Sequence, residues 1–190
     1  MGFLDAIFNL DCSVIQSVAD NFRSPFMTGF MKAVTLLGEH GIFLIICALV
    51  CIIIPKTRKL GITMGIALLL GFLFGNLLIK NVVARPRPYT LARFSDLLLV
   101  SELSDWSFPS GHTLAAFECA VAVFIYHKKI GVAAIIAAVL IAFSRIYLVA
   151  HYPSDVIVGA LMGILFAIAA YYIVKALYKK FPKLVGKTAE

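Results

Sequence analysis

From Leu60 to Lys80 the chain runs without a charged side chain until the lysine that closes the run. About 20 apolar residues is what an α-helix needs to cross the hydrocarbon core of a bilayer. Ser110 to Tyr126, Ile130 to Val149 and Ser154 to about Leu177 are three further runs of this kind. Gly41 to Ile54 is a fifth, short for a span, which must borrow length from its flanks or sit where the bilayer thins. With 62% hydrophobic and only 14% charged residues, the chain reads as a polytopic membrane protein. The expected fold is all-α: an integral membrane helical bundle with about five to six transmembrane helices and an N-terminal interfacial helix. No linker, low-complexity tract or repeat divides it, so residues 41–177 are expected to form one bundle, with 178–190 a basic tail.

The first 40 residues obey a different rule. Asp5, Asp11, Asp20, Arg23, Lys32 and Glu39 interrupt them too often for an ordinary span. Phe3, Ile7, Leu10, Val14, Ile15 and Val18 recur at helical spacing, which suits an amphipathic helix lying in the interface. Met27 to Leu37 is either a second such helix or an extension of the Gly41 span. Both belong to the same domain as the bundle.

The net charge of +7 raises the question of nucleic acid, but the placement of the charges argues against it. Lys56, Arg58 and Lys59 fill one gap between apolar runs and Lys128 and Lys129 another. Lys175, Lys179, Lys180, Lys183 and Lys187 mark the C-terminal end. These are juxtamembrane positions where positive charge marks the cytoplasmic side and meets anionic lipid. The spans then alternate without conflict, and Gly41, Lys80, Ser110, Val149 and Ser154 all face outward. A multi-pass protein of the cytoplasmic membrane is expected, with the bilayer as partner, no nucleic acid, and an unassigned oligomeric state. Cys12, Cys47, Cys51 and Cys119 show no metal spacing and no disulfide framework; apolar packing accounts for them.

Three polar clusters interrupt the outward ends. Lys80 is followed seven residues later by Arg87-Pro88; Pro109-Ser110-Gly111-His112 opens a run; Ser144-Arg145 is followed by His151 and, four residues on, by Asp155. Charge counting alone puts all three at one face of the membrane. They resemble the motifs of the type 2 phosphatidic acid phosphatase superfamily, Lys-x6-Arg-Pro, Pro-Ser-Gly-His and Ser-Arg-x5-His-x3-Asp, complete, in order and correctly spaced. About ten positions fixed in spacing, each matching by chance roughly one time in twenty, leave no room for coincidence. The helical pattern extends the resemblance over roughly residues 41–177.

The residues carry matching chemistry. A phosphomonoester dianion needs cations and fixed N–H donors through the transition state, and Lys80, Arg87 and Arg145 are the candidate cations. Pro109 suits the first turn of a helix, whose free N–H groups bind anions; Ser110 adds a hydroxyl and Gly111 lets backbone approach the phosphate. His151 sits just before a helix beginning near Pro153, and Asp155 can reach back to one ring nitrogen, freeing the other to attack phosphorus. His112 is left to protonate the leaving alkoxide. The resemblance implies the same roles: a phosphohistidine at His151, with His112 as acid and then as base toward water. No carboxylate or His/Cys cluster offers a metal site, so no cofactor and no metal are expected.

Taken singly, each piece has a plainer reading. Arg87 and Arg145 resemble snorkelling anchors, and Trp106, Tyr89, Tyr147 and Tyr152 suit an aromatic belt. Arg85 repeats the Arg-Pro pattern two residues too close to Lys80, so Arg87 is the better match. Glu118 lies deep in its helix, where an ionisable group is costly and needs protein or water around it; Asn76 is the expected partner. The joint spacing favours a membrane lipid phosphatase, with phosphatidic acid, phosphatidylglycerol phosphate and undecaprenyl diphosphate as candidate substrates. Two other readings share the motifs: a vanadate-dependent haloperoxidase-like enzyme, and an inactive lipid transporter or binder.

Overall fold

The structure, a computed structural model, describes residues 2–181, and among these the chain forms helices and no strand. Two N-terminal helices, α1 (Phe3–Phe22) and α2 (Pro25–Leu36), precede the bundle. The apolar helices follow: α3 (Ile42–Ile53), α4 (Arg58–Leu70), α6 (Gly111–Tyr126), α7 (Lys128–Tyr147) and α8 (Pro153–Lys180). The rod begun by α4 continues through a π-helical stretch, Gly71–Ile79, into the short α5 (Lys80–Val83). The continuous rod within Pro55–Thr90, together with α7 and α8, is long and apolar enough to cross a membrane; α3 and α6 are shorter apolar helices. The protein is an all-helical membrane bundle. Lys183 and Lys187 of the basic tail lie outside the described residues.

The core follows from small residues. α8 lies directly against α6 because Gly159 and Gly163 face its backbone: a Cβ at Gly159 would stand 2.8 Å from the Ser110 carbonyl oxygen, and one at Gly163 2.6 Å from that of Leu114. Small residues four apart are how membrane helices reach backbone contact, since lipid supplies little hydrophobic drive between helices. At one end, Tyr126 bonds Thr63 at 3.0 Å and stacks edge-on with Tyr171, and Lys59 lies over Tyr178. The basic gaps therefore cap the end opposite the motif clusters.

Each N-terminal helix packs one narrow face on the bundle and leaves large apolar side chains such as Phe3, Leu4 and Phe26 exposed on the other, which suits a helix lying in the interface. Asp11, Cys12, Ile15 and Val18 of α1 are buried, against α7, α8 and the loop after α5. Met31 and Thr35 of α2 are buried against α7. The aromatic-belt reading needs correction: Tyr89, Tyr147 and Tyr152 are buried, and only Trp106 is exposed. Each buried ring has a reason to be inside. The Tyr89 hydroxyl pins both the N–H and the carbonyl of Leu103 at 2.9 Å, Tyr147 bonds Thr28, and Tyr152 stacks under the Arg85 guanidinium at 3.9 Å.

Candidate active site

The polar clusters meet at the end of the bundle where α5 stops and α6 and α8 begin. α5 ends because Ala84 adopts a left-handed conformation (φ 46°), and Arg85-Pro-Arg87-Pro then runs without helix until a short turn at Pro88–Thr90. The Ser107 N–H donates to the Arg85 carbonyl at 2.9 Å, tying this segment to the one that leads into α6. Pro109 precedes the helix rather than occupying its first turn: Ser110 is the N-cap, and Phe108–Pro109 is a cis peptide. Ser110 is fully buried, its N–H on the Asp155 carbonyl at 3.1 Å and its hydroxyl oxygen accepting from Thr113.

His151 is held from both sides. Its Nδ1 is 2.7 Å from the Ser107 carbonyl oxygen and its Nε2 is 3.2 Å from Nη1 of Arg87. A carbonyl can only accept and a guanidinium can only donate. Nδ1 therefore carries the proton, and Nε2 presents a lone pair. Burial pushes the His151 pKa down to about 4, against the raising effect of Asp155, so the ring is neutral near pH 7. Asp155, expected to hold the ring nitrogen, stands 3.7 Å from Nδ1; the short bond belongs to Ser107. The Asp155 carboxylate instead accepts from Ser107 Oγ at 2.5 Å and from the Tyr152 N–H at 3.0 Å. It thus holds the residue that holds the histidine.

The backbone entering His151 is strained. Val149, a β-branched residue, has φ 59°, a conformation costing about 1–3 kcal/mol that persists only where its surroundings impose it. Here the Ala150 and His151 N–H groups both donate to the Arg145 carbonyl, at 3.0 and 3.2 Å. The resulting turn aims the Ala150 carbonyl at Arg87 Nη1, 2.8 Å away. Arg87 also donates from Nε to the Asp105 carbonyl at 2.8 Å. Its Nη2 pairs with the Asp105 carboxylate, which Lys80 also reaches at 2.5 Å. Burial would raise the Asp105 pKa, but Lys80 and Arg87 outweigh it and hold it at about 2. A sequence profile of the PAP2 superfamily matches residues 57–179, the stretch that contains all of these motif residues.

The chain belongs to the PAP2 superfamily. It is 34% identical to the undecaprenyl-diphosphatase of Sulfolobus acidocaldarius over 138 residues, 72% of this chain and 66% of that one. It therefore spans just under two thirds of that relative's length. Its structure superposes on the crystal structure of Aquifex aeolicus LpxE with a TM-score of 0.72 and 29% identity, covering 86% of this chain and 95% of that one. It is equally close, at 0.72 and 27% identity, to a transmembrane PAP2-type phosphatidylglycerolphosphate phosphatase from Bacillus subtilis, covering 94% and 89%.

In this PAP2 protein Lys80, Arg87, Gly111, His112 and His151 line one cavity of about 530 Å³. Gly111 faces Asn76, whose Oδ1 would lie 2.9 Å from an added Cβ. His112 Nε2 has no hydrogen-bond partner and is 3.6 Å from Glu39. Gly38 makes room for that ring, since a Cβ there would come within 2.9 Å of it. Arg145 stands apart from the other two cations. It lines a neighbouring hollow with Thr35 and Leu99, and its Nη1 donates to Thr35 at 2.5 Å because α2 packs across the last turn of α7. Glu118 forms the deep end of the main cavity beside apolar Ile45, Leu68 and Phe72. Its expected pairing with Asn76 is absent: Oε1 has no hydrogen-bond partner, and the carboxyl lies against Gly71 where the π-helical stretch begins.

Several site residues carry no motif. Asp11 accepts from Arg85 at 2.8 Å and from the Ser154 N–H at 2.8 Å, and Arg85 completes the cluster with Asp155 at 2.6 Å. Asp11 was visible as a carboxylate on the same helical face as Cys12, Ile15 and Val18. Ser107, Asp105, Thr35 and Glu39 lie in or beside loops, where no period marks them.

Proposed function

We propose that the chain is a membrane lipid phosphatase that removes the terminal phosphate of a lipid phosphate or diphosphate through a phosphohistidine. The observation that carries this is the fixed tautomer of His151, which turns a lone pair on Nε2 toward the cavity shared with Lys80, Arg87 and His112. Nε2 attacks phosphorus while Lys80, Arg87 and the backbone at Gly111 stabilise the phosphoryl oxygens. The N–P bond forms as the bond to the leaving oxygen breaks, and His112 gives that oxygen its proton. His112, now neutral, takes a proton from water, whose oxygen attacks phosphorus; the N–P bond breaks and inorganic phosphate leaves. Arg145 acts by its charge from the adjoining hollow. The cavity's apolar wall suits the first part of a lipid chain. Activity without added metal and a site on the extracytoplasmic face belong to the same proposal. Candidate substrates are phosphatidic acid, phosphatidylglycerol phosphate and undecaprenyl diphosphate.

The test is phosphate release by purified protein in detergent with EDTA, across these three substrates, combined with acid-stable or base-stable trapping of labelled enzyme. His151→Ala should lose both turnover and a base-stable, acid-labile label. His112→Ala should slow turnover yet still acquire label from a substrate with a good leaving group. Label retained in His151→Ala, or no phosphate release from any lipid phosphate by wild type, overturns the reading.

A further inference from the structure

The Asp105 carboxylate lies between two cations. One oxygen is 2.5 Å from Lys80 Nζ, and the other is on Arg87 Nη2. The partners differ in exposure: the Lys80 and Arg87 side chains are 8% and 4% accessible, that of Asp105 51%. The backbone beside it is anchored separately, through Arg87 Nε to the Asp105 carbonyl at 2.8 Å and Arg87 Nη2 to the Trp106 carbonyl at 3.3 Å. Rotation about its own side-chain bonds would therefore carry the carboxylate toward solvent without moving the segment or Arg87. Asp105 also lines the cavity that holds His112 and His151.

A carboxylate bridging two cationic donors presents two oxygens much as a phosphoryl group does. Any phosphoryl group that takes Lys80 and Arg87 must replace those oxygens. We infer that Asp105 is a specificity-determining residue: a tethered carboxylate that only a dianionic terminal phosphate displaces effectively, so that the monoanionic phosphodiester headgroups of the surrounding bilayer are turned away. The inference rests on the lipid phosphatase reading for its choice of substrate class.

The physical case is one of charge and concentration. A phosphodiester carries a single negative charge, the same as Asp105, and gains little from the exchange. A phosphomonoester near neutral pH carries about −1.5 to −2 and three acceptor oxygens, and interacts more strongly with both cations at once. A tethered group acts at an effective concentration of about millimolar or more, which matters in a bilayer where phosphodiester lipids vastly outnumber any substrate. Two buried cations with no such competitor would be held by bulk lipid. The alternative role for Asp105 is to position Lys80 and Arg87, and it predicts the opposite behaviour when the carboxylate is removed.

The experiment uses the full chain in neutral detergent, with Asp105→Asn and, as a second variant, Asp105→Ala. Inorganic phosphate and orthovanadate binding are measured directly, and turnover of a lipid phosphate is followed as phosphatidylglycerol is added to the micelles. Removing the like-charged competitor should tighten phosphate binding by about tenfold and make turnover sensitive to phosphatidylglycerol, whereas wild type stays nearly insensitive. Weaker phosphate binding in both variants, or a fall in kcat with no new inhibition by phosphatidylglycerol, overturns the inference in favour of a positioning role. Should neither variant fold, wild type alone decides: methyl phosphate should inhibit more strongly as pH rises through about 6, where its second proton leaves, while dimethyl phosphate should not inhibit. Equal inhibition by the two overturns it. Wild type that binds phosphate but releases none from any lipid phosphate would defeat the phosphatase reading, and the binding comparison would still decide the role of Asp105.

Discussion

Arg85 and Arg87 are two residues apart in one Arg-Pro-Arg-Pro segment, yet their surroundings are opposites. Arg85 sits between two buried carboxylates, Asp11 and Asp155, at 2.8 and 2.6 Å. Arg87 and Lys80 share one half-exposed carboxylate, Asp105. The first cluster has two carboxylates to one cation and closes on itself, joining α1, the post-α5 segment and α8. The second has two cations to one carboxylate and opens into the cavity. A cation over-matched by buried carboxylates serves the fold; one that is under-matched and lines a cavity is available to an anion. Motif spacing picks Arg87, and the pairing geometry gives the physical reason.

The largest expected effect separates the two clusters by stability. Arg85→Met would leave Asp11 and Asp155 buried without their cation, and breaking such a pair costs about 3–5 kcal/mol. Arg87→Met gives up five hydrogen bonds at about 0.5–1.5 kcal/mol each but strands no buried carboxylate, since Lys80 still meets the half-exposed Asp105; it alone should also lose binding of inorganic phosphate. Thermal unfolding and phosphate binding in detergent compare the two. If folded Arg85→Met lost phosphate binding and Arg87→Met kept it, the division between a structural and a working cluster would be wrong.

An intermediate effect is expected from pH. Burial pushes the His151 pKa down to about 4 from the ordinary 6.5, so the folded state binds fewer protons than the unfolded chain between those values. Its contribution to stability is complete above about pH 6.5 and is lost as pH falls toward 4. Asp105, held at about 2 against 3.8, contributes above its unfolded value and is lost as pH falls from about 4 toward 2. Wild type should therefore lose thermal stability in two successive acid windows. His151→Gln should remove the upper one and Asp105→Asn the lower; a variant that retained its window would assign it to another group. The smallest effect is expected at Glu118, which belongs to neither cluster. Glu118→Gln keeps its shape against Gly71 and should leave turnover within about twofold, as expected of a group outside the proton transfers. A hundredfold loss with unchanged stability would place Glu118 on a proton path.

The parts of this arrangement that were readable in the sequence are those set by local periodicity. Apolar run length located the five bundle helices, and motif spacing brought out Lys80, Arg87, His112 and His151, which the fold gathers in one cavity. The contacts that tune them depend on distant chain segments. Asp11 meets Ser154 across 143 positions, and His151 meets Ser107 across 44. Nothing at either residue encodes the other. The tyrosines were misread for a related reason. Aromatic residues near a span suit an interface on composition alone, but the folding of the segment between α5 and α6 brings Leu103 to Tyr89, and α2 brings Thr28 to Tyr147.

The glycine contact between α6 and α8 has a further consequence. Gly159 and Gly163 rest on the carbonyls of Ser110 and Leu114, and these helices begin immediately beside His112 and His151. The spacing of His112 and His151 is thus gauged by backbone touching backbone, with no side chain in between to vary. The cavity's apolar wall comes from elsewhere, from α3, α4 and the π-helical stretch. Substitutions in that wall would therefore reshape the cavity while the two histidines keep their separation, provided the two glycines stay small.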